Sequence, residues 1–453
     1  MKKEDRESTY SEAKEMSKRA RDLYSVIKSN FIITNVRDDS IEGTYLSSIL
    51  LPILSGIVNG KQLIFGNPGN GKTTTAELIS SLLYGFPLDA IISYAEIHSH
   101  PEITAEDIFG SLDLPGMKDM NWSAFAQFPR IKIIDEINRL SGKQQDMLLN
   151  LADRGVSKYL NHTLITQKST LFATANYEDI GNTELILPLR DRFDVSTEMH
   201  QLGPLERLLL STPRDVSSIQ DEQISDRIGT VLHEKSPYND KIKKLDEIAG
   251  EFRERLNSKF GEITMSYKDL EKVRSYINDI PLSYDSKIFL ILVHSELANP
   301  YGKERIFGKK SEDLSHYSKT EYAFNKVEND VSNRFTQSLM LYSRAYAWFK
   351  GDSSVEPKHI GSMLPYTLAH RVNFINLADQ GELSNLDYAK VISSEIMGRY
   401  NLNPQLYGEA YQTFLSSINE KDPAGAFERE SKKFSAISDS PFISALERAL
   451  KEN

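Results

Sequence analysis

The stretch "QLIFGNPGNGKTT", residues 62–74, decides the fold of this 453-residue chain. A short apolar run ends at Gly66, and a helix-forming segment begins at Thr73. Between them the pattern G-x-x-x-x-G-K-[ST] is complete, with Gly66, Gly71, Lys72 and Thr73 at its fixed positions. A glycine-rich turn between a buried strand and a helix predicts a phosphate-binding loop, because backbone N–H groups and the helix N-terminus both attract an anion.

The predicted loop assigns nine consecutive residues to a bound nucleotide: Gly66, Asn67, Pro68, Gly69, Asn70, Gly71, Lys72, Thr73 and Thr74. Lys72 is expected to reach the β- and γ-phosphates, and the Thr73 hydroxyl is expected to hold Mg²⁺. The competing interpretation is a glycine turn that only links a strand to a helix. Because the motif and its strand–helix context are both present, ATP and Mg²⁺ are the expected ligands.

Polar side chains end two later apolar strands. "IKIIDEINR" (131–139) places Asp135 and Glu136 after an apolar run, and "FATAN" (172–176) ends at Asn176. Ligands of open α/β sheets bind at the edge where the strands end. Asp135 is expected to hold the metal, Glu136 to orient and deprotonate a water, and Asn176 to position that water. The alternatives are two acids at a surface strand end and an asparagine that only forms a turn.

Two arginines stand between aspartates in "LPLRDRFDV" (187–195), far along the chain from the loop. A fixed guanidinium beside developing phosphoryl charge accelerates hydrolysis by orders of magnitude. The alternative is that Arg190 and Arg192 pair locally with Asp191 and Asp194 at the surface.

Strands are predicted to alternate with helices up to about His200. Four apolar runs are predicted as strands: "QLIF" (62–65), "AIISYAEI" (90–97), "IKIID" (131–135) and "TLFATA" (170–175). Lys132 interrupts the third run, which suggests a strand that is partly exposed or near a partner. A helix is predicted at 141–155, where one face carries Met147, Leu148 and Leu151 and Gly155 follows as a stop. This alternation predicts a mostly parallel sheet covered on both faces.

The rest of the chain is predicted to be largely helical. Helices are expected over 1–30, 44–58, 267–297 and 334–351, and residues 204–262 are polar and helix-like. Four residues of the last helix fall on one face: Phe335, Leu339, Tyr342 and Tyr346. Residues 299–330 are predicted as a loop-rich insertion, and the tail from about 380 as helical and polar.

The composition excludes several classes of site. The chain has no cysteine, which excludes disulfides and thiolate metal sites. Its net charge of −10 does not favour a general nucleic-acid coat, and its longest apolar stretch, "ILLPIL" (49–54), is too short to cross a bilayer. His98, His100, His359 and His370 show no metal-ligand spacing with carboxylates. A cytoplasmic protein without a membrane span is expected.

The order of these motifs resembles that of AAA+ ATPases. Within that class "DEINR", "FATAN", "LPLRDRFDV", "AYAWFKGDSSVEPKHI" and "LAHR" resemble the MoxR family, over roughly residues 30–200 and 264–373. The resemblance implies an α/β fold: a P-loop NTPase AAA+ core with a parallel sheet flanked by helices, then an α-helical lid and a helical C-terminal extension. The implied segments are an N-terminal helical segment (1–30), the core (31–203), a helical insertion or linker (204–263), the lid (264–378) and the extension (379–453).

The resemblance also implies roles for two arginines. Arg192 corresponds to the arginine finger of a "[DS]RFD" motif and would meet the γ-phosphate held by the neighbouring subunit. Arg334, in "VSNRF", matches a sensor arginine on the bound nucleotide, although Asn333 stands where the family has proline; a plain surface arginine is the alternative. A second departure is "AQFPR" (126–130), where MoxR proteins have Gly-Pro, and it bears on the shape of that loop.

Two β-hairpins are implied by the same resemblance. Residues 97–116 fit the first and residues 156–169 the second, and both are expected to face the centre or a surface of the ring. Lys158, Tyr159 and His162 of the second are candidates for substrate contact, although an exposed hairpin with these residues needs no function.

The resemblance implies a MoxR-type AAA+ ATPase that hydrolyses ATP between subunits of a homo-oligomeric ring, by resemblance a hexamer. Its task would be to remodel or activate a partner protein, often one with a von Willebrand A domain. Two other functions use the same site: a nucleic-acid motor or GTP-driven restriction subunit, and a structural protein that binds nucleotide and barely hydrolyses it. The acidic balance disfavours nucleic acid as a partner, and the presence of Glu136 and Arg192 favours hydrolysis.

Overall fold

A computed structural model of the protein describes residues 3–33, 41, 45–112, 120–145, 148, 154–176, 185, 187–210, 217–298, 322–375, 384–438 and 440–452. The chain forms two compact units, residues 1–279 with 348–352 and residues 280–347 with 353–453. The first contains the sheet and the glycine-rich loop, and the second is helical in its described part. The segment boundaries implied by the sequence stay predictions.

Five of the strands form one parallel sheet. The described strands are β1 (Lys61–Gly66), β2 (Glu96–His98), β3 (Gly110–Leu112), β4 (Met120–Trp122), β5 (Ile131–Asp135), β6 (Val156–Tyr159), β7 (His162–Ile165), β8 (Thr170–Ala175) and β9 (Val195–Met199). The sheet has the order β2-β5-β8-β1-β9, and all its pairings are parallel. The strands predicted at 62–65, 131–135 and 170–175 are confirmed as β1, β5 and β8. Their carboxyl ends meet at one edge, which is where the glycine-rich loop begins.

The helices of the first unit confirm the alternating pattern. They are α1 (Lys3–Asn30), α2 (Ser47–Val58), α3 (Lys72–Tyr84), α4 (Leu88–Tyr94), α5 (Ala105–Phe109), α6 (Ala124–Gln127), α7 (Leu187–Arg190), α8 (Pro204–Leu210), α9 (Glu222–His233), α10 (Tyr238–Phe260) and α11 (Tyr267–Asp279). The predicted helices at 1–30 and 44–58 correspond to α1 and α2, and the helix-like region 204–262 to α8 through α10. Of the helix predicted at 141–155, Met147 and Leu151 lie outside the described residues.

Two features of the sheet differ from the sequence prediction. The strand predicted at 90–97 is wrong for most of its length, because residues 88–94 form α4 and only 96–98 form β2. Pro87 precedes the first turn of α4 and Asp89 lies in it, both typical of a helix start, and a short apolar run fits a helix as well as a strand. The edge strand β9 was not predicted, since "VSTEM" carries polar residues, yet all five are buried.

Two antiparallel hairpins stand outside the main sheet. β3 (110–112) pairs with β4 (120–122) in the first hairpin. Its predicted position at 97–116 is wrong because α5 occupies the middle of that range. β6 pairs with β7, which confirms the second hairpin. Its turn residues Leu160 and Asn161 have φ of 47° and 66°, the left-handed backbone that a tight hairpin turn requires.

Helix α2 is an apolar helix of the core. All twelve of its residues, including Pro52, are buried. Among the described residues, no single helix is long and apolar enough to cross a membrane, although α3 and α4, bent by 119°, would be by combined length and composition.

The second unit is made of helices in its described part. They are α12 (Tyr284–Leu297), α13 (Asn333–Lys350, whose last residues belong to the first unit), α14 (Pro357–Leu368), α15 (Asn385–Leu402), α16 (Pro404–Ser417), α17 (Pro423–Ser431) and α18 (Pro441–Glu452). The segment predicted as helical at 267–297 divides into α11 and α12 around Pro281. The predicted apolar face of α13 is confirmed, since all four of its residues are fully buried. Most of the predicted insertion, 299–321, lies outside the described residues.

Candidate functional site

The glycine-rich loop joins the end of β1 to the first turn of α3. Gly66 ends the strand and Lys72 begins the helix, so the helix N-terminus lies at the loop. Gly69 and Gly71 have φ of 79° and 73°, in the left-handed region that favours glycine. A Cβ built on either glycine would meet no atom within 4 Å, which leaves open space beside both. Backbone N–H groups around such a cradle suit an anion.

Lys72 crosses the loop with its side chain. Its Nζ donates to the carbonyl oxygens of Gly66 at 2.9 Å and Asn67 at 3.1 Å, and to Asn176 Oδ1 at 2.6 Å. Burial lowers the pKa of Lys72, while the charges of the two acids at the end of β5 oppose that shift. The amine is therefore held at the loop by neutral oxygens, near two carboxylates.

The side chains of Thr73 and Asp135 are in direct contact. Thr73 Oγ1 donates a short hydrogen bond to Asp135 Oδ1, and Thr174 Oγ1 donates to the same oxygen at 2.7 Å. Burial would raise the pKa of Asp135, but hydrogen bonds from Thr73, Thr174 and His98 outweigh it and hold that pKa below its ordinary value. A hydroxyl and an ionised carboxylate are hard oxygen donors, which Mg²⁺ prefers. The residues present therefore fit the metal that the loop motif implies.

Asn176 connects Glu136 to Lys72. Its Nδ2 donates to Glu136 Oε1 at 2.8 Å, while its Oδ1 accepts from the lysine. Glu136 has a left-handed φ of 53°, and its backbone N–H donates to Thr174 Oγ1 at 2.9 Å. Such a conformation costs a non-glycine residue roughly 1–2 kcal/mol, so the neighbouring contacts must hold it there. Arg139 Nε lies 2.7 Å from Glu136 Oε2 and fixes the other side of the carboxylate.

Two residues that the sequence did not single out support this cluster. Thr174, on β8, contacts both Asp135 and Glu136, as described above. Asn138 Nδ2 donates to the backbone oxygen of Asn176 at 3.0 Å, and Asn138 Oδ1 accepts from its N–H at 3.4 Å. The only signal in the sequence was their position beside the quoted motifs "DEINR" and "FATAN".

The other loop residues surround this cluster. Asn67, Pro68 and Thr74 are exposed, as residues that face a ligand from solvent would be. Asn70 Nδ2 donates to the backbone oxygen of Met199 at 2.9 Å and so ties the loop to the end of β9. The nine predicted loop residues thus lie together, and their role towards a nucleotide stays a prediction.

His98 lies beside Asp135, although the sequence shows no metal-ligand spacing between this histidine and a carboxylate. The parallel pairing of β2 with β5 sets the two residues opposite each other. His98 Nδ1 is 3.2 Å from Asp135 Oδ2, and His98 Nε2 is 3.3 Å from Glu96 Oε1. The sequence could not give this arrangement, because it depends on pairing between strands that are distant along the chain.

Arg192 lies at the opposite edge of the sheet from the glycine-rich loop. Phe193 is buried in the core cluster, and Asp194 Oδ2 accepts from the backbone N–H of Lys61 at 2.8 Å. These contacts fix the turn where β1 and β9 begin, whereas the loop starts at Gly66, where β1 ends. The six residues of β1 put roughly 17 Å between the two ends of the strand. Within one chain, the turn that contains Arg192 and the glycine-rich loop therefore lie at opposite ends of β1.

The remaining predicted residues are distributed over other elements. Arg334 is exposed in the first turn of α13, in the second unit. Lys158 is exposed on β6, and His162 is paired in register with Tyr159 across the hairpin. Tyr159 stacks on Phe109 with ring centroids 5.8 Å apart, so part of this candidate contact surface supports the core.

Comparison with known proteins finds similarity to AAA domains over the part of the chain that contains the glycine-rich loop. Residues 61–193 match the AAA domain of the dynein-related subfamily, and residues 325–386 match an AAA lid domain. The fold is similar to the crystal structure of a candidate ATPase from Cytophaga hutchinsonii, with a TM-score of 0.54 and 14% sequence identity over 86% of this chain and 97% of that chain. No curated protein matches the sequence. The domain and lid matches support an ATPase of the AAA+ kind.

Proposed function

We propose that the protein is a MoxR-type AAA+ ATPase that hydrolyses ATP at the seams of a homo-oligomeric ring, a hexamer by resemblance, and uses the energy to remodel a partner protein. One observation carries the proposal: five predicted side chains form two hydrogen-bonded sets at one edge of the sheet, and Thr174 bridges them. The sets are Lys72–Asn176–Glu136 and Thr73–Asp135; Thr174 donates to Asp135 and accepts from the backbone N–H of Glu136. Phosphoryl transfer needs little covalent chemistry from the protein and depends on positioned charge, which this set supplies.

Each member of the cluster has a role that its contacts support. The loop amides and Lys72 bind the phosphates, and Thr73 with Asp135 would hold Mg²⁺, which when bound neutralises charge on the β- and γ-phosphates. Glu136 takes the proton of the attacking water, because its carboxylate is fixed by Asn176 and Arg139 at the strand edge.

Arg192 is proposed to act on the nucleotide of the neighbouring subunit. Its place at the far edge of the sheet supports this role, because an arginine side chain cannot span the length of β1 to reach its own loop. A guanidinium delivered from the next subunit would stabilise the charge that develops on the transferred phosphoryl group. Hydrolysis would then depend on assembly.

The MoxR-type task is supported by the motif resemblance and by two hairpins in the core. The hairpins β3–β4 and β6–β7 form separate two-stranded sheets, and exposed Ile165 and Leu160 on the second offer apolar contacts. The lid match contains Arg334, which is proposed to sense the bound nucleotide. A client protein, in many relatives one with a von Willebrand A domain, is the proposed partner.

Mixing two inactive variants tests the proposal most directly. Arg192→Ala chains keep an intact loop, and Lys72→Ala chains keep an intact arginine. Neither variant should hydrolyse ATP alone. Mixed oligomers should regain turnover, because one of their subunit interfaces combines the intact loop of an Arg192→Ala chain with the Arg192 of a Lys72→Ala chain. Turnover would be measured at several mixing ratios, with assembly followed by light scattering.

Arg190→Ala is the control for Arg192→Ala, because it removes a positive charge two residues away. This variant should keep wild-type turnover. Wild-type activity per chain should also rise with protein concentration as rings form. Absence of any gain on mixing, with both variants assembled, would assign Arg192 a role within its own chain and overturn the seam model. Absence of turnover in the wild type at every concentration would overturn the ATPase itself.

A further inference from the structure

We propose that Glu96, His98 and Asp135 form a binding site for a transition-metal ion, separate from the Mg²⁺ position beside Thr73. Their ligand atoms, one from each side chain, all lie within 4.8 Å of one another. The inference goes beyond the proposed function, since it concerns a second ion and requires neither nucleotide nor ring.

Glu96 provides the observation that distinguishes this cluster from ordinary surface acids. Its side chain is 1% exposed, and within the described part of the chain neither carboxylate oxygen accepts a hydrogen bond. Burying a carboxylate without donors is costly unless a proton or a cation compensates it. The carboxyl of Glu77 lies against it, and burial together with this second acid raises the pKa of Glu96 to about 9. In the folded chain, a proton or a bound cation is therefore needed to compensate this carboxylate.

Asp135 can serve two ions because its two oxygens face different neighbours. Oδ1 accepts hydrogen bonds from Thr73 and Thr174, on the side of the glycine-rich loop. Oδ2 faces the His98 ring, with Nδ1 at 3.2 Å, and the other ring nitrogen faces Glu96. One carboxylate shared between two cations is the usual arrangement of two-metal sites that act on phosphates.

The donor set selects the class of metal. Imidazole nitrogen with two carboxylates suits Zn²⁺, Mn²⁺, Co²⁺ or Fe²⁺, whereas Mg²⁺ prefers oxygen ligands alone. The side chain of His98 is 72% exposed, which gives an ion access from solvent and leaves room for water as a further ligand.

Binding of Co²⁺ to the full-length protein tests the site, because protein-bound Co²⁺ can be followed by its visible absorption. Metal-free protein without nucleotide would be titrated with Co²⁺ at neutral pH. We expect one ion per chain, with affinity lowered at least about ten-fold by His98→Ala and by Glu96→Gln, since loss of even an outer-shell partner costs a metal site about 10–100-fold. Excess Zn²⁺ should displace the Co²⁺ signal.

Two variants separate this site from its neighbours. His100→Ala removes a nearby exposed histidine and should keep the Co²⁺ site. Thr73→Ala removes a hydrogen-bond donor of Asp135 at the predicted Mg²⁺ position and should weaken Co²⁺ binding less than either ligand variant does. Circular dichroism of every variant shows that it is folded. The site is refuted if wild type gives no bands, if either ligand variant binds Co²⁺ as wild type does, if His100→Ala loses binding, or if Thr73→Ala weakens binding more than the ligand variants do. Loss only in Thr73→Ala would assign the ion to the nucleotide position and leave the proposed function intact.

Discussion

Asn176 donates a 2.8 Å hydrogen bond to the carboxylate of Glu136 while its own carbonyl oxygen accepts a 2.6 Å bond from Lys72. One amide thus links the residue proposed to activate water with the residue proposed to bind phosphate. Because each end of an amide can only donate or only accept, Asn176 is oriented by its two partners. Asn138 fixes its backbone from the other side. The position of Glu136 therefore depends on a residue that need not contact the phosphates.

Asn176→Ala should lower kcat for ATP hydrolysis by roughly 100-fold, the scale of losing one positioned polar group in a catalytic site. The dissociation constant for ATP should change little, because the loop amides and Lys72 remain. Steady-state turnover together with binding of a fluorescent ATP analogue would separate the two effects. Asn121→Ala, on the exposed face of β4, is the matched control. A change in ATP affinity with kcat preserved would contradict the positioning role.

Glu136→Gln should bind ATP as tightly as wild type and hydrolyse it at least roughly 100-fold more slowly, because an amide cannot take the proton of water. The amide oxygen can still accept from Asn176, so thermal stability should be unchanged. With hydrolysis blocked, ATP should hold the chains in the assembled form, which size-exclusion chromatography with light scattering would detect. Wild-type turnover in this variant would remove Glu136 from the mechanism.

The loop and the ends of β5 and β8 could be predicted from the sequence because their signals are local. A short apolar run predicts a strand, and a glycine, an Asp-Glu pair or an Asn directly after it predicts the polar or turn residue at the strand's carboxyl end. The parallel order of the sheet then brings Lys72, Asp135 and Asn176 to one edge. The pairing of β2 with β5 could not be predicted from a local pattern. His98 and Asp135 are far apart in the sequence and are neighbours only because the two strands pair in the sheet.

Lys132 shows why a charge pattern alone misleads. Its position inside "IKIID" suggested a strand that is partly exposed or near a partner, yet the residue is 1% exposed. Its Nζ donates to the backbone oxygens of Phe125, Ala126 and Phe128, around the end of α6. Lys132 is buried because its amine donates hydrogen bonds to carbonyl oxygens at the end of a neighbouring helix, and the pattern of its own strand does not show those carbonyls. The prediction of exposure for this strand is therefore wrong.

Lys132→Met should lower the free energy of unfolding by about 1–3 kcal/mol, because methionine fills a similar volume but leaves buried carbonyl oxygens without a donor. Burial lowers the pKa of Lys132 to about 7, so part of this loss is offset by removal of a buried amine. Denaturant unfolding would measure the change, with Lys158→Met on the exposed face of β6 as the control. A Met variant as stable as wild type would show that these carbonyls are satisfied in another way.

Glu96 should make the stability of the metal-free protein fall as the pH rises. Burial beside Glu77 raises its pKa from 4.5 to about 9, so between these values the folded chain holds a proton that the unfolded chain has lost. The stabilisation is therefore complete below pH 4.5 and is lost as the pH approaches 9, at roughly 1 kcal/mol per pH unit at most.

Glu96→Gln cannot titrate, so its stability relative to wild type should increase from pH 7 to pH 9, a window above the ordinary titration range of histidine. Unfolding by denaturant in EDTA would measure both proteins at several pH values, with Glu106→Gln on α5 as the exposed control. In saturating Co²⁺ the ion takes the place of the proton at the wild-type carboxylate. The pH dependence of the stability difference between the two proteins should therefore shrink. A pH-independent difference in EDTA would mean that Glu96 is already ionised in the folded chain at pH 7.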